Sequence, residues 1–170
     1  NKDTLARPWA KPGTENLEHR IGGIEKEDVT GNVNYDPENH HFMVKTRALK
    51  VQNIANELPP TDVFGEKSGD LLILSWGGTQ GACRSATEAL VNDGKKVSHI
   101  HLRWINPLPN DLGELLIKFK HVLIPEINLG QLIKIIRAEY LIDAIGLNKV
   151  KGKPISSAEI QDNVKKILEK

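Results

Sequence analysis

The sequence of 170 residues holds one cysteine, one methionine and few aromatic residues, and it shows neither a charge bias nor a long apolar run. A single thiol, Cys83, excludes an intramolecular disulfide and an iron–sulfur cluster held by this chain alone, since a cluster takes several thiolates. Basic and acidic residues number 23 and 22, so the chain carries no electrostatic footprint for nucleic acid or a membrane surface. No stretch reaches the roughly 18 apolar residues of a membrane-spanning helix, and no secretory pattern is recognisable, so a cytoplasmic location is expected. What is present, 39% hydrophobic and 26% charged residues, is the make-up of a folded globular protein. The sequence opens on Asn1, and Met43 is its only methionine, so it reads as a piece of a longer chain.

Two textures follow one another. Residues 1–60 are polar and turn-rich, and residues 61–170 alternate apolar runs with amphipathic stretches. Pro8, Pro12 and Gly13 argue for an extended arm. Residues 27–35 resemble a hairpin turning near Gly31. Asp36-Pro37-Glu38 is a helix start, with an acid at the cap and proline in the first turn. That helix is expected to reach about Asn56, with Met43, Ala48, Val51, Ile54 and Ala55 as contact positions.

Beyond it, Thr61–Phe64 reads as an edge strand and Asp70–Ser75 as a strand buried on both faces. Thr79 is placed to cap a helix running to Asn92, with Gly94 closing it. Val97–Trp104 and His121–Pro125 read as strands, with a short helix at 111–119 between them. Leu129–Leu141 reads as helix, Ile142–Leu147 as strand, and Ala158–Glu169 as a last helix. Strands alternating with helices predict a three-layer αβα sandwich with a mostly parallel sheet and a cleft at the strands' carboxyl ends.

Individual residues carry little chemistry by themselves. The turn Gly77-Gly78-Thr79 follows a strand and opens a helix, where backbone N–H groups can meet an anion. It matches neither GxGxxG nor a P-loop, so a tight structural turn outweighs a phosphate site. His99 and His101 share one face of a strand, but no carboxylate or thiol stands at ligand spacing, and no metal site is expected. Cys83 in a first helical turn reads as a small buried residue. Residues 28–36 are oxygen-rich but lack the closing glutamate of a calcium loop. Lys149, Lys151 and Lys153 read as a solvated loop.

Longer strings say more. Leu5-Ala-Arg-Pro-Trp9, Glu18-His-Arg-Ile-Gly-Gly-Ile-Glu25 and Gly31-Asn-Val-Asn-Tyr-Asp-Pro-Glu-Asn-His40 resemble the segment after the pyrimidine-binding domain in alpha subunits of 2-oxoacid:ferredoxin oxidoreductases. Leu74-Ser-Trp-Gly-Gly-Thr79, Val97-Ser-His-Ile-His-Leu-Arg103, Asn106-Pro-Leu-Pro109 and Pro125-Glu-Ile-Asn-Leu-Gly-Gln131 resemble that subunit's last domain, with the 2-oxoglutarate branch the nearest. The resemblance implies a domain like the C-terminal domain of transketolase, with an antiparallel edge strand, preceded by an extended arm and a helix.

It also implies a complex that uses thiamine diphosphate, Mg2+, an iron–sulfur cluster and coenzyme A. Within that complex the partners are the remainder of the alpha subunit, the beta subunit and ferredoxin. No catalytic residue carries over to this chain, which is expected to be an assembly domain, inactive alone. His19, Arg20 and Glu126 are the expected interface residues, with Gly77, Gly78 and Thr79 the candidate cofactor turn. An independent nucleotide- or coenzyme A-binding module is the alternative.

Overall fold

A computed structural model describes residues 1–19 and 21–169. They form two compact units, Asn1–Leu58 and Pro59–Lys170. No helix among the described residues is long and apolar enough to cross a membrane.

In the first unit, residues 1–36 make turns and a single antiparallel bridge, Lys26 to Val33. The expected hairpin shrinks to this bridge for a local reason. Thr30 donates its hydroxyl to Glu27 and accepts the N–H of Asn32 at 3.2 Å, so side chains take up bonds that a strand ladder would use. The turn closes at Gly31, whose φ of +76° suits glycine. The guanidinium of Arg7 donates to the carbonyls of Glu27 at 2.8 Å and Val29 at 3.3 Å, tying the arm to that turn.

Helix α1 spans Pro37–Gln52, and Asp36 caps it by accepting the N–H groups of Glu38 and Asn39. A 3₁₀ turn, Asn53–Glu57, replaces the helix's expected last turn. Glu25 fastens α1 to the turn region, accepting two bonds from Arg47 at 2.9 and 3.2 Å and meeting His40 Nδ1 at 2.6 Å. The Arg47 guanidinium holds the Glu25 carboxyl down at about 2, with His40 contributing. Yet α1 buries no residue. Of the expected contact positions only Ala55 is buried and Met43 half-buried, while Ala48, Val51 and Ile54 are exposed. A single helix of this length is marginal in water without a packed face.

The second unit has the core that the first lacks. Strand β1 is Val63–Phe64, β2 Gly69–Trp76, β3 Val97–Leu102, β4 Phe119–Glu126 and β5 Ile145–Asn148. Their order in the sheet is β1-β3-β2-β4-β5, with β1 antiparallel at the edge and the rest parallel. Helices α2 (Gln80–Asn92), α3 (Leu112–Leu116), α4 (Leu132–Tyr140) and α5 (Ser157–Leu168) cover both faces.

Alternation along β2 sorts the core. Leu71 and Ile73 pack with Cys83, Ala86 and Leu90 of α2 and with Ile160 and Val164 of α5. Leu72 and Leu74 pack with Leu112 and Leu116 of α3 and with Leu132 and Ile136 of α4. This is the mostly parallel αβα sandwich that the pattern predicts.

Some boundaries differ from expectation. Phe119 opens β4 instead of closing a helix, because Gly69 at the start of β2 pairs with it. Pro125 sits inside β4 and not at its end, and Glu126 completes the strand. Helix α4 begins at Leu132, three residues later than expected, after a turn that side chains stabilise (below).

Helix α5 starts on a reciprocal cap. Ser156 Oγ accepts the Glu159 N–H at 3.2 Å, and Glu159 accepts the Ser156 N–H at 2.7 Å. Lys149 reaches the same carboxylate at 2.8 Å, so it is a tether and not a solvated loop residue. Ser156→Ala is expected to lower stability by about 1 kcal/mol in urea titrations. An unchanged midpoint would show that burial of Ile160 and Val164 alone sets the start of α5.

Candidate functional site

In a doubly wound sheet the crevice lies where successive connections leave in opposite directions. Here that is between β2 and β4, since β2 connects to β3 on one side and β3 crosses back to β4 on the other. One wall is the Gly77–Thr79 turn, a 3₁₀ turn that runs into α2. Gly77 has φ +57°, which accounts for a glycine there. A Cβ on Gly77, Gly78 or Gly81 would meet no atom, so the turn faces open space. Thr79 does not cap α2 as expected. Its hydroxyl donates back to the carbonyl of Trp76 at 2.8 Å, and no side chain caps the head of α2.

The other wall is closed. Glu126 is fully buried, and Oε1 accepts the Trp76 indole N–H at 3.2 Å, the Asn128 amide at 3.1 Å and the Leu132 N–H at 2.9 Å. Oε2 accepts the Ile133 N–H at 3.1 Å. Asn128 Oδ1 accepts the N–H groups of Gly130 at 2.7 Å and Gln131 at 3.0 Å. Two side chains thus satisfy four consecutive donors at the head of α4, which are unavailable to any ligand. Glu126 therefore offers no surface to a partner. The expectation that it faces a subunit boundary is corrected to an internal role, tying β2 to the head of α4.

Behind the open wall lies a polar cluster that no sequence motif brings together. Ser75 on β2 stands opposite His101 on β3, with His99 two residues earlier on the same face. Ser75 Oγ lies 2.7 Å from His99 Nε2 and 2.8 Å from His101 Nδ1. A hydroxyl has one proton to give and two lone pairs, so at most one imidazole accepts from Ser75 and at least one donates to it, which couples their tautomers. Burial holds His99 down at about 4, assisted by His101 and Arg84 and opposed by Asp62. Burial also lowers His101, with Arg103 adding to the effect.

Cys83, packed beneath, is pushed up to about 11 by burial, with the nearby Ser75 and Thr79 hydroxyls acting in the other direction. It is a neutral thiol at physiological pH and not a nucleophile, as the sequence suggests. Ser75 is fully buried as well, so the cluster is not a serine–histidine nucleophile facing substrate. The paired histidines were legible as an HxH strand pattern, but their link through Ser75 depends on strand register and was not.

His19 lies in the first unit, exposed, with Nδ1 at 2.8 Å from the carbonyl of Leu17. Arg20 lies outside the described residues. No group of three or more His, Cys, Asp or Glu side chains among the described residues is arranged to hold a metal ion.

No family model matches the sequence. The chain is 42% identical over 161 residues to the 2-oxoglutarate oxidoreductase subunit KorA of Mycobacterium tuberculosis, covering 94% of this chain and 24% of that protein. It superposes on a chain of the 2-oxoglutarate:ferredoxin oxidoreductase from Magnetococcus marinus, solved with 2-oxoglutarate, coenzyme A and succinyl-CoA bound, with a TM-score of 0.88 and 34% identity. That match covers 96% of this chain and 29% of the solved one. A split-gene transketolase, an inactive beta4 tetramer, matches 66% of this chain and 43% of its own with a TM-score of 0.51 and 19% identity, a likeness of fold alone. The chain thus spans about a quarter of the length of the curated relative. Similarity that runs through both units, in sequence and in structure, makes this chain a segment belonging to the 2-oxoglutarate/2-oxoacid:ferredoxin oxidoreductase alpha-subunit family.

Proposed function

We propose that this chain is the C-terminal part of the alpha subunit of a cytoplasmic 2-oxoglutarate-type oxidoreductase, that it serves assembly, and that it is inactive alone. The observation that carries this is the exposed apolar surface of the first unit. It holds a well-capped helix with no buried residue and leaves Trp9, Ile21, Val29 and Tyr35 each more than 80% exposed. Exposed apolar side chains on an element without its own core mark a surface made for another polypeptide. The proposed neighbours are the rest of the alpha subunit and the beta subunit, with ferredoxin reached through the complex.

The donor set here does not fit the implied cofactors. One buried neutral thiol cannot hold an iron–sulfur cluster, and no three His, Cys, Asp or Glu side chains among the described residues gather to hold Mg2+. Thiamine diphosphate, Mg2+ and the cluster are therefore assigned to other parts of the complex.

Two measurements test the reading. The chain alone is expected to give no ferredoxin reduction from 2-oxoglutarate and coenzyme A. It is also expected to show no thermal shift with thiamine diphosphate plus Mg2+, where a bound ligand at a hundredfold excess would add about 2.7 kcal/mol. A complex lacking this segment should lose turnover and regain it when the chain is supplied. Full activity of the truncated complex, or turnover by the chain alone, would refute the proposal.

A further inference from the structure

Two cavities lie side by side at the carboxyl end of β3 and share Asp62, His101 and Arg103. The smaller, about 70 Å3, adds Arg84, Gln80 and His99 to its lining. The larger, about 260 Å3, is walled by Trp104, Leu102 and three prolines, Pro59, Pro60 and Pro109. One is cationic and the other is apolar and aromatic, and Asp62 stands where they meet.

The cationic cup is organised before any ligand arrives. The Arg84 guanidinium lies over the Phe64 ring at 3.2 Å, and its Nε donates to Glu88 at 2.9 Å. That fixes its plane while its two terminal nitrogens make no hydrogen bond among the described residues. Arg103 is exposed and pairs with no acid among them. His99, 4% exposed, and His101 are held by Ser75 through one nitrogen each, and the second nitrogen of each ring bonds to no described residue. Guanidinium groups match the oxygens of phosphate in geometry as well as charge.

We propose that the paired cavity binds a mononucleotide. The phosphate sits between Arg84 and Arg103, the ribose hydroxyls bond Asp62, and the base lies against Trp104 and the prolines. Arg84 lines only the smaller cavity, Trp104 and the prolines only the larger, and Asp62, His101 and Arg103 line both, so phosphate and base are placed at opposite ends with the ribose at the shared residues. An acid that accepts from ribose hydroxyls and an aromatic face for the base are recurrent means of nucleotide recognition. The combined space is at the lower end of the roughly 300–1,000 Å3 typical of ligand pockets, which suits a mononucleotide and is small for a dinucleotide. The site is separate from the Gly77 turn and does not depend on the assembly role.

The test is an NMR titration of the full chain with AMP, adenosine and inorganic phosphate, reading the His99 and His101 rings and the Trp104 indole. AMP is expected to move all three and to raise the pH at which His101 titrates, because a bound anion favours its protonated form. Phosphate alone should move only the histidines and bind at least about tenfold more weakly than AMP. Arg103→Gln, at an exposed position, should weaken AMP about tenfold and leave adenosine unchanged, one lost charged bond's worth of affinity. Absence of shifts at millimolar AMP, undiminished AMP binding in both Arg84→Gln and Arg103→Gln, or phosphate binding as tightly as AMP would each overturn the proposal.

Discussion

Glu126→Ala is expected to cost about 4 kcal/mol of stability, through donors left without an acceptor and not through lost apolar contact. The substitution strips the acceptor from the Trp76 indole, the Asn128 amide and the N–H groups of Leu132 and Ile133. Leu132 is buried, so water cannot replace the carboxylate there without opening the core. Each buried donor left unpaired costs roughly 1–3 kcal/mol, and bonds to a charged acceptor are at the strong end. Some relief comes from no longer burying a carboxyl group, which brings four donors down to about 4 kcal/mol.

Asn128→Ala is the control. It removes the acceptor of the buried Gly130 and of the exposed Gln131, so one buried donor is left unpaired instead of several, and it should cost about 2 kcal/mol. Urea midpoints rank the two, and amide hydrogen exchange at Leu132 and Ile133 localises the loss. If Glu126→Ala proved no worse than Asn128→Ala, the bridge from β2 to α4 would have no energetic weight.

What sequence reveals here follows the range of the interactions. Leu71–Leu74 are legible as a strand buried on both faces because four consecutive apolar residues leave no polar side. The cap at Asp36 and the stop at Gly94 are equally legible, since each is settled within four residues. Phe119 and Glu126 were not. Phe119 continues a helical spacing after Leu112, Leu115 and Leu116, and only its pairing with Gly69, fifty residues away, makes it a strand residue.

Glu126 after a proline looks like a loop acid. Its burial depends on where the indole of Trp76 and the head of α4 come to lie. The polar cluster is the same case. His99 and His101 advertise a shared face, but Ser75 joins them only because β2 and β3 run parallel in one register. Arg84 and Arg103 carry no local signature and meet at a cavity through the same register. In the first unit, Ala48 and Val51 of α1 are apolar and lie exposed, and Met43 is only half-buried. Periodicity reports that a face is apolar and does not say which molecule covers it.

The second large effect is on acid stability, and its pH window separates histidine from carboxylate. His99 titrates near 6.5 when unfolded and is held at about 4 in the fold by burial. The unfolded chain therefore takes up the proton first as pH falls. The contribution of neutral His99 is complete above pH 6.5 and is lost as pH drops through the window from 6.5 to about 4. At 1.36 kcal/mol per unit, the loss reaches about 3 kcal/mol at the acid end. His101 is lowered by the same cause and adds in the same direction.

Glu25 and Glu159 act in another range. Partners hold both at about 2, below the usual 4.5, so their stabilisation is lost only as pH falls below about 4.5. A fall in the unfolding midpoint between pH 6.5 and 4.5 thus belongs to the buried imidazoles. His99→Gln keeps an amide within reach of Ser75 and has nothing to titrate, so it should flatten the curve in that interval while the fall below pH 4.5 remains. An unchanged slope in the variant would mean that protonated His99 is accommodated in the fold, through an opening at the Arg84 cavity that relieves its burial.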